Sequence, residues 1–226
     1  PATPLDAFER LAQTRRAPRH YVSDPLPDGL LDRLLDIAHW APSGYNLQPA
    51  HFVTVSDPAV KQRLHDACLA QKQILEAPVT VVFVGDADVY HHHFDPVMTM
   101  ERAAGVMTAD YENKLRQFVP LAFGTGPAGL GWLWKAMLAP LAGFTRPMPS
   151  IPAVHRRYWL AKQVMLAGMV FMLAAKAAGL DTVPMEGFDE RLVKRALGIP
   201  SSHVVPVVIP VGYAAGGPLK KTRLPL

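Results

Sequence analysis

Twelve successive apolar or glycine residues, Val164 to Ala175, lie between Gln163 and Lys176 in the stretch HRRYWLAKQVMLAGMVFMLAAKAAGLDTVPMEGFD. A helix built on this run is apolar on nearly every side, so it has to lie between layers of the chain's own core or against a second subunit. The run alone is too short to cross a bilayer, which takes about 20 apolar residues. Gly179 is placed to adopt the left-handed conformation that ends a helix. The turn Thr182-Val183-Pro184-Met185-Glu186-Gly187 then leaves the core carrying backbone amides beside a flexible glycine. On periodicity alone this is a core helix with a tight exit loop.

The chain can build such a core, because half of its 226 residues are hydrophobic. No internal repeat or low-complexity linker divides residues 1–226, so one domain is expected, with an unusual apolar, Pro/Gly/Trp-rich insertion at about 118–153. Cys68 is the only cysteine, which excludes an internal disulfide framework and points to a small buried hydrophobe. Pro1 to Gln13 lacks a basic segment followed by an apolar run, so a cytoplasmic location is the expectation. The net charge of +4 is unevenly spread, with no Asp or Glu between Asn113 and Leu180. That zone favours an anionic ligand or surface. Its basic residues are not interleaved with aromatics, and no nucleic-acid motif accompanies them, so nucleic acid is not an expected partner.

Taken in order, Leu5, Phe8, Leu11 and Ala12 recur at helical spacing and predict an amphipathic helix over 4–14. It leads into Arg15-Arg16-Ala17-Pro18-Arg19, where three guanidiniums lie within five residues. Two readings stay open: a solvated basic turn, or a clamp whose planar forks suit phosphate and ring carbonyls. A second helix, Leu30 to Ala38, precedes the loop Pro42-Ser43-Gly44-Tyr45-Asn46-Leu47-Gln48-Pro49, whose side-chain amides and hydroxyl suit a heteroaromatic edge. Ala50 to Ser56 alternates as a strand, Asp57-Pro58 opens a helix expected to run to about Glu76, and Val79 to Val84 is a β-branched strand. Asp189 can cap a helix ending at Gly198, and Val204 to Val211 reads as a strand whose Pro206 and Pro210 indicate an unpaired edge or the sheet rim. His91-His92-His93, near Asp86, Asp88 and Asp95, is expected in an extended loop, where neighbouring rings diverge, so no metal centre is expected.

Three motifs in this order, Arg15-Arg16-Ala17-Pro18-Arg19, Ala41-Pro42-Ser43-Gly44-x-Asn46-x-Gln48-Pro49 and Val183-Pro184-Met185-Glu186-Gly187-Phe188-Asp189, resemble the FMN-dependent nitroreductase family. The closing Leu219-Lys220-Lys221-Thr222-Arg223-Leu224-Pro225 is similar to its oxygen-insensitive nitroreductase and dihydropteridine reductase branch. The resemblance implies an α+β fold, a central, mainly antiparallel sheet flanked by helices, in an intertwined homodimer with FMN at the subunit interface. It implies that Arg15, Arg16, Ala17 and Arg19 contact the flavin, that Lys221 and Arg223 complete the phosphate grip, and that Pro42, Ser43, Gly44 and Asn46 come from the partner chain. Glu186 and Gly187 would present backbone amides to the flavin N5 edge. Chemistry then belongs to FMN, with no protein nucleophile: NADH or NADPH donates, and a nitroaromatic, quinone or related small aromatic acceptor receives, in a ping-pong cycle. The alternative is a flavin-binding protein of the same fold without NAD(P)H turnover, serving flavin storage, flavin fragmentation or reductive dehalogenation.

The sequence departs from the family's pattern where an Asn and a Lys commonly touch the ring: Ala70 and Gln73 stand there, and Gln73 can still donate to a ring carbonyl. The insertion matches no family motif. Its Phe123, Trp132, Trp134 and Phe144 are candidate substrate-pocket walls, and covering the dimer core or touching a membrane surface are the other readings.

Overall fold

A computed structural model describes residues 3–124, 130–131, 133, 135–137, 144, 152–217, 219–220 and 222–224. The chain runs α1 (Pro4–Thr14), β1 (Tyr21–Val22), α2 (Leu30–His39), a 3-10 turn (Gly44–Asn46), β2 (Ala50–Val55), α3 (Pro58–Ala67), α4 (Gln73–Glu76) and β3 (Val79–Gly85). Then follow α5 (Val89–Ala103), α6 (Ala109–Phe123), α7 (Arg156–Ala177), β4 (Asp181–Thr182), α8 (Glu190–Leu197) and β5 (Val204–Ala214). The strands form one antiparallel sheet of order β1-β5-β3-β2, with β4 also on β5. This is the α+β architecture expected.

Alternating β-branched residues divide the sheet into two packed faces. Val81 and Phe83 of β3, with Val207, Ile209 and Val211 of β5, meet α2 and α7. Val82 and Val84, with Val205 and Val208, meet Leu64 of α3, Ile74 of α4 and Val193 of α8. The change of phase along β5 coincides with the register shift opposite Phe83 and Gly85, where a bulge re-aims the side chains.

That bulge corrects the expectation that β5 lies at the rim. β5 has partners on both edges: β3 along its length on one side, and β1, β4 and the Met185–Val208 bridge on the other. Its prolines are accommodated locally. Pro210 accepts from the Val183 N–H at 3.4 Å, so the missing proline N–H faces the short β4 edge and costs the β3 ladder nothing. Pro206 lies where the ladder is interrupted, and the neighbouring Val205 N–H donates to Glu190 Oε1 at 3.0 Å.

The long apolar helix is a core helix over part of its surface only. Leu160, Val164, Phe171 and Ala175 of α7 are buried against the sheet, while Leu166 and Met169 are 44% and 42% exposed. Within one chain the face away from the sheet is open, so the chain's own layers cover one side of the run and not the other. At 22 residues the helix has the length and apolarity to cross a bilayer, yet Phe171 meets Phe83 edge-on at 5.5 Å inside the core. Gly85 lets it approach: a Cβ there would come within 3.1 Å of the Leu160 Cβ and 3.2 Å of a Val164 methyl. Gly179 ends the helix region at φ 80°, as expected.

Thr3 caps α1 through a reciprocal pair, Thr3 N–H to Asp6 and Asp6 N–H to Thr3 Oγ1, so the helix is locally specified. None of its residues is buried, and Leu5 and Phe8 are 72% and 54% exposed. Phe8, Leu11, Leu30, Ile37 and Leu173 line an apolar groove between α1, α2 and α7.

Two further expectations are corrected. The helix from Pro58 does not continue to Glu76: it stops at Ala67, Leu69 and Ala70 take left-handed φ of 55° and 56°, and α4 starts at Gln73. Lys61 holds the break by donating to the carbonyls of Leu75 and Ala77. His91, His92 and His93 lie in α5, not in an extended loop.

One glycine of β5 has no room for a side chain. A Cβ on Gly212 would fall 2.5 Å from Pro78 Cδ, an atom fixed in a ring between α4 and β3. Gly212→Ala is expected to cost roughly 1–3 kcal/mol through the forced backbone shift, read as a lower urea midpoint. An unchanged midpoint would show that the two strands separate there without strain.

Candidate functional site

The sheet face covered by α3, α4 and α8 gathers three segments that are far apart in sequence. Ala17, Ile74, Met185 and Phe188 pack on one core cluster, which places the Arg15–Arg19 segment, the turn before α4 and the Met185–Phe188 turn along one rim. Glu76 at the end of α4 fixes the first of these by accepting the Tyr21 N–H at 3.1 Å and contacting His20 Nδ1 at 3.2 Å. Gln71 fixes the second to the third, donating from Nε2 to the Gly187 carbonyl at 2.8 Å. Gln73 is 5% exposed and donates to Gln71 Oε1 at 2.9 Å, so it supports Gln71 from behind.

The C-terminal segment returns to the same rim. Arg16 Nε donates to the Leu219 carbonyl at 3.3 Å, and its Nη1 holds the Gln13 and Arg15 carbonyls at 2.7 and 2.8 Å. Among the described residues, Arg15, Arg16, Arg19 and Arg223 form no ion pair with a carboxylate. Tyr21 beneath them has its phenol pushed up by burial and by Asp181, against the opposing pull of Arg19 and Arg15. The turn supplies a second unmet demand: Glu186 and Gly187 are exposed, and among the described residues neither backbone N–H has an acceptor. A rim of cations without carboxylate partners beside free N–H groups is matched by an anionic, acceptor-rich ligand.

The loop of Pro42, Ser43, Gly44 and Asn46 is elsewhere in the chain. It packs against α7, where the Gly44 N–H donates to Gln163 Oε1 at 2.7 Å, and its flanking Ala41 and Ala50 pack on the α2/α7 side of the sheet. Ser43 Oγ accepts the Gln48 N–H at 2.8 Å, and Asn46 donates to Glu101 Oε1 at 3.0 Å and accepts from Gln48 Nε2 at 3.1 Å. Tyr45, Asn46 and Gln48 all have left-handed φ, of 56°, 52° and 52°. Such non-glycine conformations cost about 1–3 kcal/mol each and persist where surroundings enforce them, commonly at ligand clamps. Within one protomer, then, the Arg15, Arg16, Ala17, Arg19, Gln73, Glu186 and Gly187 positions come together, and the Pro42–Asn46 loop does not join them.

Of the four expected pocket aromatics, Phe123 sits in an aromatic cluster with Tyr45, Tyr90 and Trp159, at ring separations of 5.9, 5.7 and 4.9 Å. Phe144 is 88% exposed. Trp132, Trp134 and Lys221 lie outside the described residues. Gln71 was missed by sequence reasoning because its position depends on the left-handed Leu69-Ala70 break, for which those residue types give no signal. Cys68 is fully buried and its thiol is pushed up to about 12 by burial, which keeps it neutral and unreactive.

The model of the Nitroreductase family matches residues 12–213. A protein of Thermus thermophilus named NADH dehydrogenase is 34% identical over 222 residues, spanning 98% of this chain and 93% of its own. An oxygen-insensitive NAD(P)H nitroreductase of Salmonella typhimurium is 27% identical over 205 residues, covering 86% of this chain and 84% of its own. Among solved structures, a putative nitroreductase from Bacillus subtilis superposes with a TM-score of 0.75 at 24% identity, covering 98% of this chain and 96% of the other. A putative nitroreductase from Exiguobacterium sibiricum, solved in complex with FMN, gives a TM-score of 0.71 at 20% identity over 99% of this chain and 94% of the other. With the family's model spanning the helices, the sheet and the rim between them, the chain belongs to the nitroreductase family.

Proposed function

We propose that this chain is an FMN-dependent NAD(P)H oxidoreductase that works as a homodimer on nitroaromatic, quinone or related small acceptors. The observation that carries the proposal is the rim itself: Arg15, Arg16 and Arg19 without carboxylate partners among the described residues, a tail tied back to them by the Arg16–Leu219 bond, and, among the described residues, two N–H groups without acceptors at the exposed Glu186 and Gly187. These donors fit FMN. Arg15 and Arg223, with Lys221, hold the phosphate through charge-assisted hydrogen bonds. Arg19 donates to the pyrimidine edge, and Gln71, backed by Gln73, keeps the Gly187 turn in place. The Glu186 and Gly187 amides would face the redox edge and stabilise added charge there without reorganisation.

FMN, if bound there, would supply hydride transfer from NADH or NADPH to the acceptor, and one shared face for both substrates would give ping-pong kinetics. The chain's part is to bind, orient and cover. The exposed apolar faces of α1 and α7 supply the surface for a second copy, whose Pro42–Asn46 loop completes the site. Phe123 and Phe144 would help to wall the acceptor pocket, with Trp132 and Trp134, which lie outside the described residues, as the other candidates. The relatives named as NADH dehydrogenase and NAD(P)H nitroreductase support the choice of electron donor.

The test is spectral. NADH or NADPH added without oxygen is expected to bleach the visible absorbance of the flavin-loaded protein within a single turnover, and a quinone or nitroaromatic added next is expected to restore it. A spectrum unmoved by either nucleotide would leave a flavin-binding protein without NAD(P)H turnover.

A further inference from the structure

Where β3 ends, beside the Pro42–Pro49 loop, three histidines from three separate segments surround one buried carboxylate. Asp86, at the end of β3, has a side chain only 5% exposed. Its Oδ1 accepts the Asp88 N–H at 2.7 Å and lies 3.5 Å from His203 Nε2. Its Oδ2 lies 3.4 Å from His92 Nδ1 and 3.7 Å from His51 Nε2. Donor atoms of Asp86, Asp88 and His203 all fall within 4.8 Å of one another. We propose that Asp86, Asp88 and His203, with His51 and His92 at their rim, form a binding site for one divalent transition-metal ion of the zinc type.

The separations of His203 and His92 from Asp86, 3.5 and 3.4 Å, are of the size that two ligands of one ion require. An ion about 2.0–2.2 Å from nitrogen and oxygen ligands in a tetrahedron sets those ligands roughly 3.3–3.6 Å apart. Of the three imidazoles, only His92 meets Asp86 with hydrogen-bond geometry. His203 has the further arrangement that a metal-binding imidazole uses: its other ring nitrogen, Nδ1, lies 3.3 Å from Ser202 Oγ, which orients the ring so that Nε2 faces Asp86. His51 and His203 stack at 6.5 Å with planes 19° apart, which holds both rings in place.

Charge points the same way. Among the described residues neither Asp86 nor Asp88 pairs with a lysine or arginine, and Arg156, which lines the adjoining cleft, pairs with neither. A mixed carboxylate and imidazole set suits zinc, cobalt or nickel and not magnesium or calcium, which take oxygen alone.

An ion here would brace the loop from behind. The Asp86 N–H donates to the Pro49 carbonyl at 2.9 Å, and His93, next to His92 on α5, reaches the Leu47 carbonyl at 2.7 Å. The site stands on its own residues and does not depend on the flavin reading.

Untagged protein stripped with a chelator and titrated calorimetrically with zinc chloride at neutral pH is expected to take up one ion per chain with micromolar or tighter affinity. His203→Gln is expected to weaken uptake at least about tenfold, and His91→Gln, on the same helix but without contact to Asp86, to leave it unchanged. His51→Ala, at a half-exposed strand position that folding tolerates, is expected to weaken it as well. Absence of saturable uptake by the unsubstituted protein, or unaltered affinity and stoichiometry in His203→Gln, overturns the proposal and leaves the imidazoles as counter-ions to Asp86.

Discussion

Phe171→Ala is expected to remove roughly 3–5 kcal/mol of folding stability, the range for deleting a fully buried phenylalanine side chain. Phe171 is 0% exposed and stands between α7 and the sheet. Its ring meets Phe83 at 5.5 Å and 65°, and Phe83 meets Phe52 at 5.2 Å and 71°, so a row of edge-on aromatics crosses the core from helix to outer strand. Each such pair adds about 0.5–1.5 kcal/mol beyond area burial. The space cannot easily close, because the floor is the β3–β5 ladder and the helix is already drawn in against Gly85. Since a domain's whole stability is about 5–15 kcal/mol, the urea midpoint should fall sharply with little change in slope. A loss below about 1 kcal/mol would mean that α7 is not the central support of the fold.

Local signals made much of this architecture legible. Pro58 at the start of α3, Asp189 before α8 and Gly198 after it carry their instructions in one or two residues, and each element begins or ends where those residues dictate. Alternation placed β2, and the β-branched run Val79 to Val84 placed β3, which is buried along nearly its whole length. What failed was governed by partners distant in sequence. The break after Ala67 uses Leu69 and Ala70 in a conformation neither prefers, enforced by Lys61 and by the Ala70 N–H donating to the His65 carbonyl at 3.0 Å. The prolines of β5 read as edge marks, yet a bulge and the Glu190 side chain let the strand run through the middle of the sheet. Half-burial of α7 was hidden because an apolar run looks the same whether a sheet or a second chain covers its far side.

The candidate site divides along the same line. Arg15 to Arg19 and Val183 to Gly187 stand out as contiguous motifs, and the fold brings both to one rim. Gln71 depends on the chain break, and the Asp86 cluster needs His51, His92 and His203 to meet across three segments, which no local spacing announces.

Replacing Arg15 and Arg223 together with alanine is expected to raise the dissociation constant for FMN by roughly 10²–10⁴-fold. A hydrogen bond to a charged group contributes about 1.5–3 kcal/mol, and two lost at one phosphate set the scale of that range, from which their coupling makes the double variant depart. Equilibrium dialysis of each single variant and the double measures both the size and the coupling. Neither side chain makes an ion pair among the described residues, so their removal takes little from the fold itself and the loss should appear in flavin retention. Arg16 differs, because its guanidinium is committed to the Gln13, Arg15 and Leu219 carbonyls and its loss would free the tail as well. Coupling between Arg15 and Arg223 decides the geometry. Two guanidiniums on one phosphate share a partner, so the double variant should depart from the sum of the singles, whereas strict additivity would place them on separate parts of the ligand. Full flavin occupancy of the double variant after dialysis would remove the phosphate grip and, with it, the proposed reason for the tail's return to Arg16.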